Sequence, residues 1–212
     1  MDERDLTRIK AVLLDMDGTL VDSDAAVERA WTIWAAEHKA DLAEVLVVSH
    51  GAPADSTVRH MFPQLSAAEV DVSADRQLAL QYGDLADVVP AEGAYDLMET
   101  LGALALPWAV VTSADTRLAA LRLAAAGITP PVLVTVDQIS AGKPDPEGYR
   151  VAAERLGVDP RDCLVVEDAA VGVAAGRAAG AAVAGLRGVP ADLAITDLGE
   201  LARLLRAAAG SR

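Results

Sequence analysis

Short apolar runs alternate with longer stretches of helical periodicity along most of the chain. The apolar runs occupy residues 11–14, 108–111, 132–136, 164–166 and 182–186. Each run is bounded by polar or turn-forming residues, as expected of a short strand buried on both faces. Between the later runs, helical patterns occupy residues 116–126, 147–156 and 169–179. This alternation predicts an α/β fold, with a Rossmann-like parallel sheet flanked by helices.

The stretch that follows the first predicted strand breaks this alternation. Its helical patterns occupy residues 25–39, 41–48, 55–61 and 67–86, with turns at residues 51–53 and 62–63. Pro90 and Gly93 then mark the return to the alternating pattern. We therefore predict an all-helical cap over residues 23–89, inserted after the first strand of a catalytic core that comprises residues 1–22 and 90–212.

The composition limits the class of partner. The chain has 212 residues and a formal net charge of −14, which disfavours binding to nucleic acid. A small phosphorylated metabolite remains compatible with this charge if a bound cation and a lysine reverse the field locally. Cys163 is the one cysteine and stands in an apolar run, which predicts a buried, inert thiol.

The sequence contains no signal for export or for a membrane. Residues 1–5 are mostly charged, unlike a signal peptide, and no uninterrupted apolar stretch reaches the length of a membrane span. We therefore expect a cytoplasmic protein that does not bind a membrane. We expect it to be a monomer or a weak homodimer.

Two aspartates stand at the end of the first apolar run. Asp15 and Asp17 are followed directly by Gly18 and Thr19. The carboxyl ends of parallel strands form the crevice in which open α/β sheets bind their ligands. Two carboxylates that converge there are costly unless a cation or a proton relieves their repulsion. Taken alone, the segment is equally typical of a polar surface turn.

The later strands are followed by residues that suit a cation and a phosphate group. Thr112 and Ser113 follow the run at residues 108–111, Lys143 follows the third run in a loop, and Glu167 and Asp168 follow the fourth. Each has a simpler interpretation, because a Thr-Ser pair often caps a helix and a loop lysine is often solvated. Together, the acids, hydroxyls and lysine are the groups that bind a hard cation and a phosphate.

In this order, these motifs resemble the haloacid dehalogenase superfamily. The segment Asp-Met-Asp-Gly-Thr at residues 15–19 looks like its first motif, Thr112 like the second, Lys143 like the third, and Glu167 with Asp168 like the fourth. The helical cap resembles the phosphatase branch, which includes sugar-, polyol- and glycerol-phosphate phosphatases and β-phosphoglucomutase. The resemblance covers nearly the whole chain.

The resemblance implies a role for each catalytic and phosphate-binding residue. Asp15 would be the nucleophile that forms an aspartyl-phosphate. Asp17 would be the general acid toward the leaving alcohol and then the general base for water. Thr112, the N–H group of Ser113 and Lys143 would bind the oxygens of the phosphoryl group.

The resemblance also implies a Mg²⁺ site. Its ligands would be Asp15, the backbone carbonyl of Asp17, and Asp168, with Glu167 either bound directly or one step removed. The ion would position the phosphate and neutralise its charge rather than generate the nucleophile.

Three other functions are compatible with parts of this pattern. A dehalogenase lacks the second acid of the first motif, so Asp17 disfavours it. A β-phosphoglucomutase has a histidine where this chain has Val27 and an arginine where it has Ala54. A receiver-type switch, which only accepts a phosphate, is shorter and has no helical cap. The favoured prediction is therefore a Mg²⁺-dependent phosphatase acting on a small sugar or polyol phosphate monoester.

The predicted cap would select the leaving alcohol. We nominate His50, Gly51 and Arg59 as the cap residues that reach the substrate, although each is also typical of a helix end or a surface ion pair. Trp31 and Trp34 lie three apart on one helical face, which predicts packing inside the cap.

Overall fold

The computed structural model describes residues 6–83 and 85–210, and a six-stranded parallel sheet forms its centre. Its strands are β1 (Ala11–Leu14), β2 (Val21–Asp22), β3 (Val89–Pro90), β4 (Trp108–Val111), β5 (Leu133–Val134), β6 (Cys163–Glu167), β7 (Ala182–Gly185) and β8 (Leu193–Ala194). The sheet has the order β5-β4-β1-β6-β7-β8, while β2 and β3 pair antiparallel outside it. The predicted α/β class with a parallel sheet is confirmed.

Helices cover both faces of this sheet and fill the segment between β2 and β3. They are α1 (Asp24–His38), α2 (Leu42–Ser49), α3 (Ala54–Met61), α4 (Ala67–Tyr82), α5 (Ala94–Ala103), α6 (Thr116–Ala125), α7 (Glu147–Leu156), α8 (Ala170–Ala179) and α9 (Leu198–Gly210). Short 3₁₀ turns occupy Val136–Gln138 and Pro160–Asp162. Within the described part of the chain, no helix is both long and apolar enough to cross a membrane.

The side chains of β1 alternate between two hydrophobic cores. Val12 and Leu14 pack with residues of α5, α6 and α9, whereas Ala11 and Leu13 pack with residues of α7 and α8. All four are fully buried, and a buried leucine stabilises the fold by about 2 kcal/mol relative to an exposed one. The strand can therefore present polar groups only beyond its carboxyl end, where Asp15 follows.

Helices α1–α4 have a hydrophobic cluster of their own. Trp31 and Trp34 are buried in it, as predicted, and their ring centroids lie 5.2 Å apart. The indole N–H of Trp34 donates to the carbonyl of Ser73 at 3.1 Å, and its ring stacks on His38 at 4.3 Å. The division into a core and a cap at residues 22/23 and 89/90 stays a prediction.

The third predicted strand, at residues 132–136, was too long. Only Leu133–Val134 pairs with β4, and the chain then enters a 3₁₀ turn. The cause is Asp137, whose carboxylate accepts hydrogen bonds from the N–H group of Thr116 at 3.1 Å and from the hydroxyl of Thr135 at 2.6 Å. These bonds turn the backbone away from the sheet.

The predicted helix at residues 67–86 was also too long. Helix α4 ends at Tyr82, before Gly83, a residue of low helix propensity. Leu85 then packs against the core of the sheet instead. The other predicted helix ends agree with the structure to within one residue, and Cys163 is buried as predicted. Residues 1–5, 84 and 211–212, which belong to the predicted core and cap, lie outside the described residues.

Candidate active site

The acids predicted at the ends of β1 and β6 form one cluster. These strands are neighbours, and the N–H group of Asp15 donates to the carbonyl of Val166 at 3.0 Å. This pairing sets Asp15 beside Glu167 and Asp168. One carboxylate oxygen of each acid lies within 4.8 Å of the other two, and all three residues are buried. Such a set of oxygen atoms suits a hard divalent cation.

Lys143 brings a positive charge into this cluster. Its Nζ atom contacts Asp15 Oδ1 and lies 2.5 Å from Glu167 Oε1. Tyr149 donates its hydroxyl to the same oxygen of Glu167 at 2.6 Å. The side chain of Lys143 is only 6% exposed, so these contacts fix its position. One ammonium among three ionised carboxylates would leave the cluster with a net negative charge.

The pKa shifts agree with a shortage of positive charge. Burial raises the pKa of Asp15 well above its ordinary value, with Lys143 opposing the shift and Glu167 adding to it. Burial also raises the pKa of Asp168 to about 6, against the opposing effect of His50. Burial acts to lower the pKa of Lys143, but Asp15 and Glu167 outweigh it and the pKa is raised. A bound cation would relieve both acids.

The environment of Asp168 Oδ2 indicates whether a cation would fit at the acidic cluster. Within the described residues, Asp168 Oδ2 is buried and has no hydrogen-bond partner. The cationic groups near it are His50 Nε2 at 3.5 Å and Arg187 Nε at 3.8 Å, both beyond hydrogen-bond range. A buried acceptor without a donor is costly, so this oxygen and the acids beside it fit a divalent metal ion.

Two glycines make room for the acidic cluster. Gly18 has a φ angle of 81°, and a Cβ atom there would lie 2.1 Å from Asp168 Oδ2. A Cβ atom at Gly172, in α8, would lie 1.7 Å from Glu167 Oε1. Each carboxylate can therefore reach its position only because the facing residue has no side chain.

Replacing Gly172 with alanine should destabilise the protein and lower its activity. Alanine favours a helix over glycine by about 1 kcal/mol. Over-packing costs about 1–3 kcal/mol, and Glu167 cannot move freely because Lys143 and Tyr149 hold it. We expect the free energy of unfolding, measured by urea titration, to fall by up to about 2 kcal/mol, the over-packing cost less the gain in helix propensity. Gly102→Ala in α5 is the control and should be neutral or stabilising, since nothing lies within 4 Å of its Cβ position. Equal stability of the two variants would contradict the steric argument.

Asp15 and Asp17 line one side of a cavity of about 270 Å³. The cavity lies between the sheet and helices α1–α4, and both parts contribute side chains. The lining includes Thr112, Ser113, Arg122 and Arg187 from one part, and Trp31, His50, Gln77 and Gln81 from the other. A molecule bound at Asp15 would therefore touch both parts.

Asp17 is held by two neighbours within this cavity. Ser23 donates its hydroxyl to Asp17 Oδ1 at 2.6 Å. The guanidinium of Arg122 lies 2.8 Å from Asp17 Oδ2, and the side chain of Arg122 is only 3% exposed. The carboxylate of Asp17 thus lies in the same cavity as Asp15 but has different partners.

Thr112 and Ser113 both line the cavity, although their hydroxyls have different contacts. Thr112 Oγ1 accepts the N–H group of Ala114 at 3.0 Å, which leaves its own hydrogen available for an anionic oxygen. Ser113 Oγ donates to the carbonyl of Gly51 at 3.0 Å. The hydroxyl of Ser113 therefore joins the sheet to the loop after α2, and its N–H group remains the candidate phosphate contact.

Of the three residues nominated from the cap, the structure brings two to the site. His50 Nε2 lies 3.4 Å from the carbonyl oxygen of Asp168. Gly51 has a φ angle of 71°, and a Cβ atom there would lie 2.5 Å from Ala169 Cβ. Arg59 instead pairs with Asp55 at 3.6 Å on the surface and does not line the cavity.

Several residues that line the cavity were not predicted from the sequence: Ser23, Gln77, Gln81, Arg122 and Arg187. A signal existed for Arg122, because it falls on the apolar face of α6 with Leu118. Gln77 and Gln81 stand four apart on α4, so they share one face of that helix. Nothing in their spacing shows which element they would meet.

Comparison with known proteins gives the family. The sequence model of the haloacid dehalogenase-like hydrolase family matches residues 9–180 of this chain. Hexitol phosphatase A of Escherichia coli (strain K12) is 40% identical over 186 residues, which cover 87% of this chain and 86% of that protein. Validoxylamine A 7'-phosphate phosphatase of Streptomyces hygroscopicus subsp. limoneus is 32% identical over 203 residues, covering 91% and 95%. A hydrolase from Pseudomonas syringae has a similar structure, with a TM-score of 0.77 and 25% identity over 84% of each chain.

The chain therefore belongs to the haloacid dehalogenase-like hydrolases. Within that family it is a phosphoric monoester hydrolase, since both of these sequence relatives, which match most of its length, are named as phosphatases. The family and the enzyme class predicted from the strand-end residues are confirmed.

Proposed function

We propose that the protein is a magnesium-dependent phosphatase that hydrolyses a small sugar or polyol phosphate monoester. The main support is the buried cluster of Asp15, Glu167 and Asp168 around Lys143, beside a cavity of about 270 Å³. This volume is near the lower end of ligand sites, about 300–1,000 Å³, and suits one small metabolite. One relative is named a hexitol phosphatase, which supports a polyol as the leaving alcohol.

The reaction proceeds in two steps through Asp15. In the first, a carboxylate oxygen of Asp15 bonds to phosphorus as the bond from phosphorus to the alcohol oxygen breaks. Asp17 donates a proton to that oxygen, so the alcohol leaves neutral. In the second, Asp17 takes a proton from water, the water oxygen bonds to phosphorus, and the bond to Asp15 breaks. The products are the alcohol, inorganic phosphate and the original enzyme.

The phosphoryl oxygens require positive charge and hydrogen-bond donors. Lys143, the hydroxyl of Thr112 and the N–H group of Ser113 supply donors in our proposal. Asp15, the backbone carbonyl of Asp17 and Asp168 would hold Mg²⁺, with Glu167 directly or indirectly involved. When bound, the ion supplies the positive charge that three acids and one lysine lack.

Helices α1–α4 act as a cap in this proposal, over residues 23–89. The hydrogen bond from Ser113 to Gly51 and the approach of His50 to Asp168 join them to the sheet. A closed cap excludes bulk water while the alcohol is still bonded, and it must open for the products to leave.

Two residues of the cavity favour release of phosphate over its transfer to a second hydroxyl. Val27 and Ala54 line the cavity at the positions where the resemblance to mutases requires a histidine and an arginine. Neither side chain can bind an anion. A bisphosphate intermediate would therefore be held less well than in a mutase.

The proposal is tested by measuring phosphate release from sorbitol 6-phosphate, glucose 6-phosphate, glycerol 3-phosphate and β-glucose 1-phosphate. We expect turnover of at least one ester with Mg²⁺. Removal of the metal with EDTA should lower the rate of phosphate release by about 100-fold or more, because a metal supplies several kcal/mol of charge stabilisation. Full activity in EDTA would contradict the metal requirement. Conversion of glucose 1-phosphate into its 6-phosphate without net phosphate release would make the enzyme a mutase instead.

A further inference from the structure

Two buried glutamines of α4, Gln77 and Gln81, are linked to Asp17 through Arg122. Gln81 Oε1 lies 2.5 Å from Arg122 Nη2, and Arg122 Nη1 lies 2.8 Å from Asp17 Oδ2. On the other side, Gln81 Nε2 donates to Gln77 Oε1 at 2.6 Å. Asp17, Arg122, Gln81 and Gln77 thus form a continuous chain of polar contacts, and all four line the cavity.

The direction of every hydrogen bond in this chain follows from Arg122. A guanidinium can only donate, so the atom of Gln81 that faces it must be the amide oxygen. The amide nitrogen of Gln81 therefore points to Gln77, where it requires the oxygen of that amide. The nitrogen of Gln77 is left at the end of the chain, and an amide flip would break the pattern.

This last nitrogen lacks a partner. Gln77 is fully buried, and among the residues that the structure describes its Nε2 atom has no hydrogen-bond acceptor. The buried Nε atom of Arg122 is likewise unpartnered within the same set. Buried donors are nearly always satisfied in native proteins, so an unpaired one in a cavity wall points to an acceptor that binds there.

An uncharged oxygen of the substrate suits this position better than an anionic one. An anionic phosphoryl group belongs with Lys143 and Thr112, whereas Gln77 is a neutral amide on the inserted helices. The alcohol part of the ester extends from Asp17 toward these helices, because Asp17 protonates its oxygen in the proposed reaction. A hydroxyl oxygen accepts a hydrogen bond without adding charge beside Asp17.

We propose that Gln77 is a specificity-determining residue whose amide N–H group binds a hydroxyl oxygen of the leaving polyol. This inference rests on the proposed phosphatase function. Gln81 and Arg122 are positioning residues, because they fix which end of the Gln77 amide faces the cavity. The substrate class is then a phosphorylated polyhydroxy compound rather than any phosphate monoester of similar size.

The test compares sorbitol 6-phosphate with n-hexyl phosphate, an ester of the same chain length without hydroxyls. Gln77→Met retains the shape of the side chain and removes the donor. We expect kcat/KM for sorbitol 6-phosphate to fall about 5- to 10-fold, the effect of one neutral hydrogen bond. For n-hexyl phosphate, kcat/KM should stay within about twofold of the wild-type value. The readout is therefore kcat/KM for sorbitol 6-phosphate divided by kcat/KM for n-hexyl phosphate.

Two further variants separate specificity from folding. Gln77→Leu has neither an amide donor nor an oxygen that could accept from a substrate hydroxyl, so it should lower the ratio even if Gln77→Met folds poorly. Gln64→Met, a matched change at an exposed cap position, should leave the ratio unchanged. An unchanged ratio in both Gln77 variants, or equal losses on the two esters, would overturn the inference. Wild-type enzyme that releases phosphate from none of the four sugar and polyol esters used to test the proposed function would instead contradict that function.

Discussion

Replacing Asp15 with asparagine should lower turnover of sorbitol 6-phosphate by about four orders of magnitude or more. The amide oxygen is far less nucleophilic than a carboxylate, so no phosphorus–oxygen bond forms at this position. The other members of the site remain, and they cannot replace the attacking atom. Phosphate release and trapping of a labelled phosphoenzyme in acid measure the two consequences, and both should be lost.

The fold should survive this change. Asp15 is one of three buried acids around Lys143, and asparagine still offers an oxygen to that lysine. Removal of one negative charge from a cluster with excess acid should leave the melting temperature equal or higher without metal. Asp71→Asn, the same substitution at an exposed position of α4, serves as the control and should keep full activity. Retained turnover in Asp15→Asn would remove the nucleophile from the proposed mechanism.

Replacing Asp17 with asparagine should have an effect that depends on the leaving group. An alkoxide leaves poorly, so loss of the proton donor should slow hydrolysis of sorbitol 6-phosphate by about 10²–10⁴-fold. A p-nitrophenolate ion needs no proton to leave, so p-nitrophenyl phosphate should lose much less when the first step is measured by burst kinetics.

The ratio of the two rates also controls for structural damage. Asparagine weakens the contact with the buried guanidinium of Arg122, so some loss of stability is expected. A smaller folded fraction would lower both rates by the same factor and leave their ratio unchanged. Equal losses on the two substrates would therefore show that Asp17 is not the general acid.

The sequence was sufficient to predict the part of the site that depends on strand ends. Asp15, Thr112 and Asp168 follow runs of buried residues, and a parallel sheet brings the ends of such runs to one edge. Lys143 follows from the same logic with a loop between, and its contacts with Asp15 and Glu167 agree with its predicted place.

Other parts could not be predicted because they depend on how separate elements pack. The meeting of Gln81 with Arg122 joins α4 to α6, and neither helix contains information about the other's rotation. Gly172 looks like a weak helical residue until Glu167 is seen against it. Strands β2 and β3 have two residues each, which is too short for any hydrophobic period.

That two-residue pair has a consequence for how the protein can change over evolution. Val21 pairs with Pro90 and Asp22 with Val89, so the helical segment between β2 and β3 begins and ends at adjacent points. Segments whose ends are adjacent tolerate replacement and change of length, because the surrounding fold does not depend on what lies between. The helices that we propose contact the alcohol can thus diverge while the strand ends that carry Asp15, Thr112 and Asp168 stay the same.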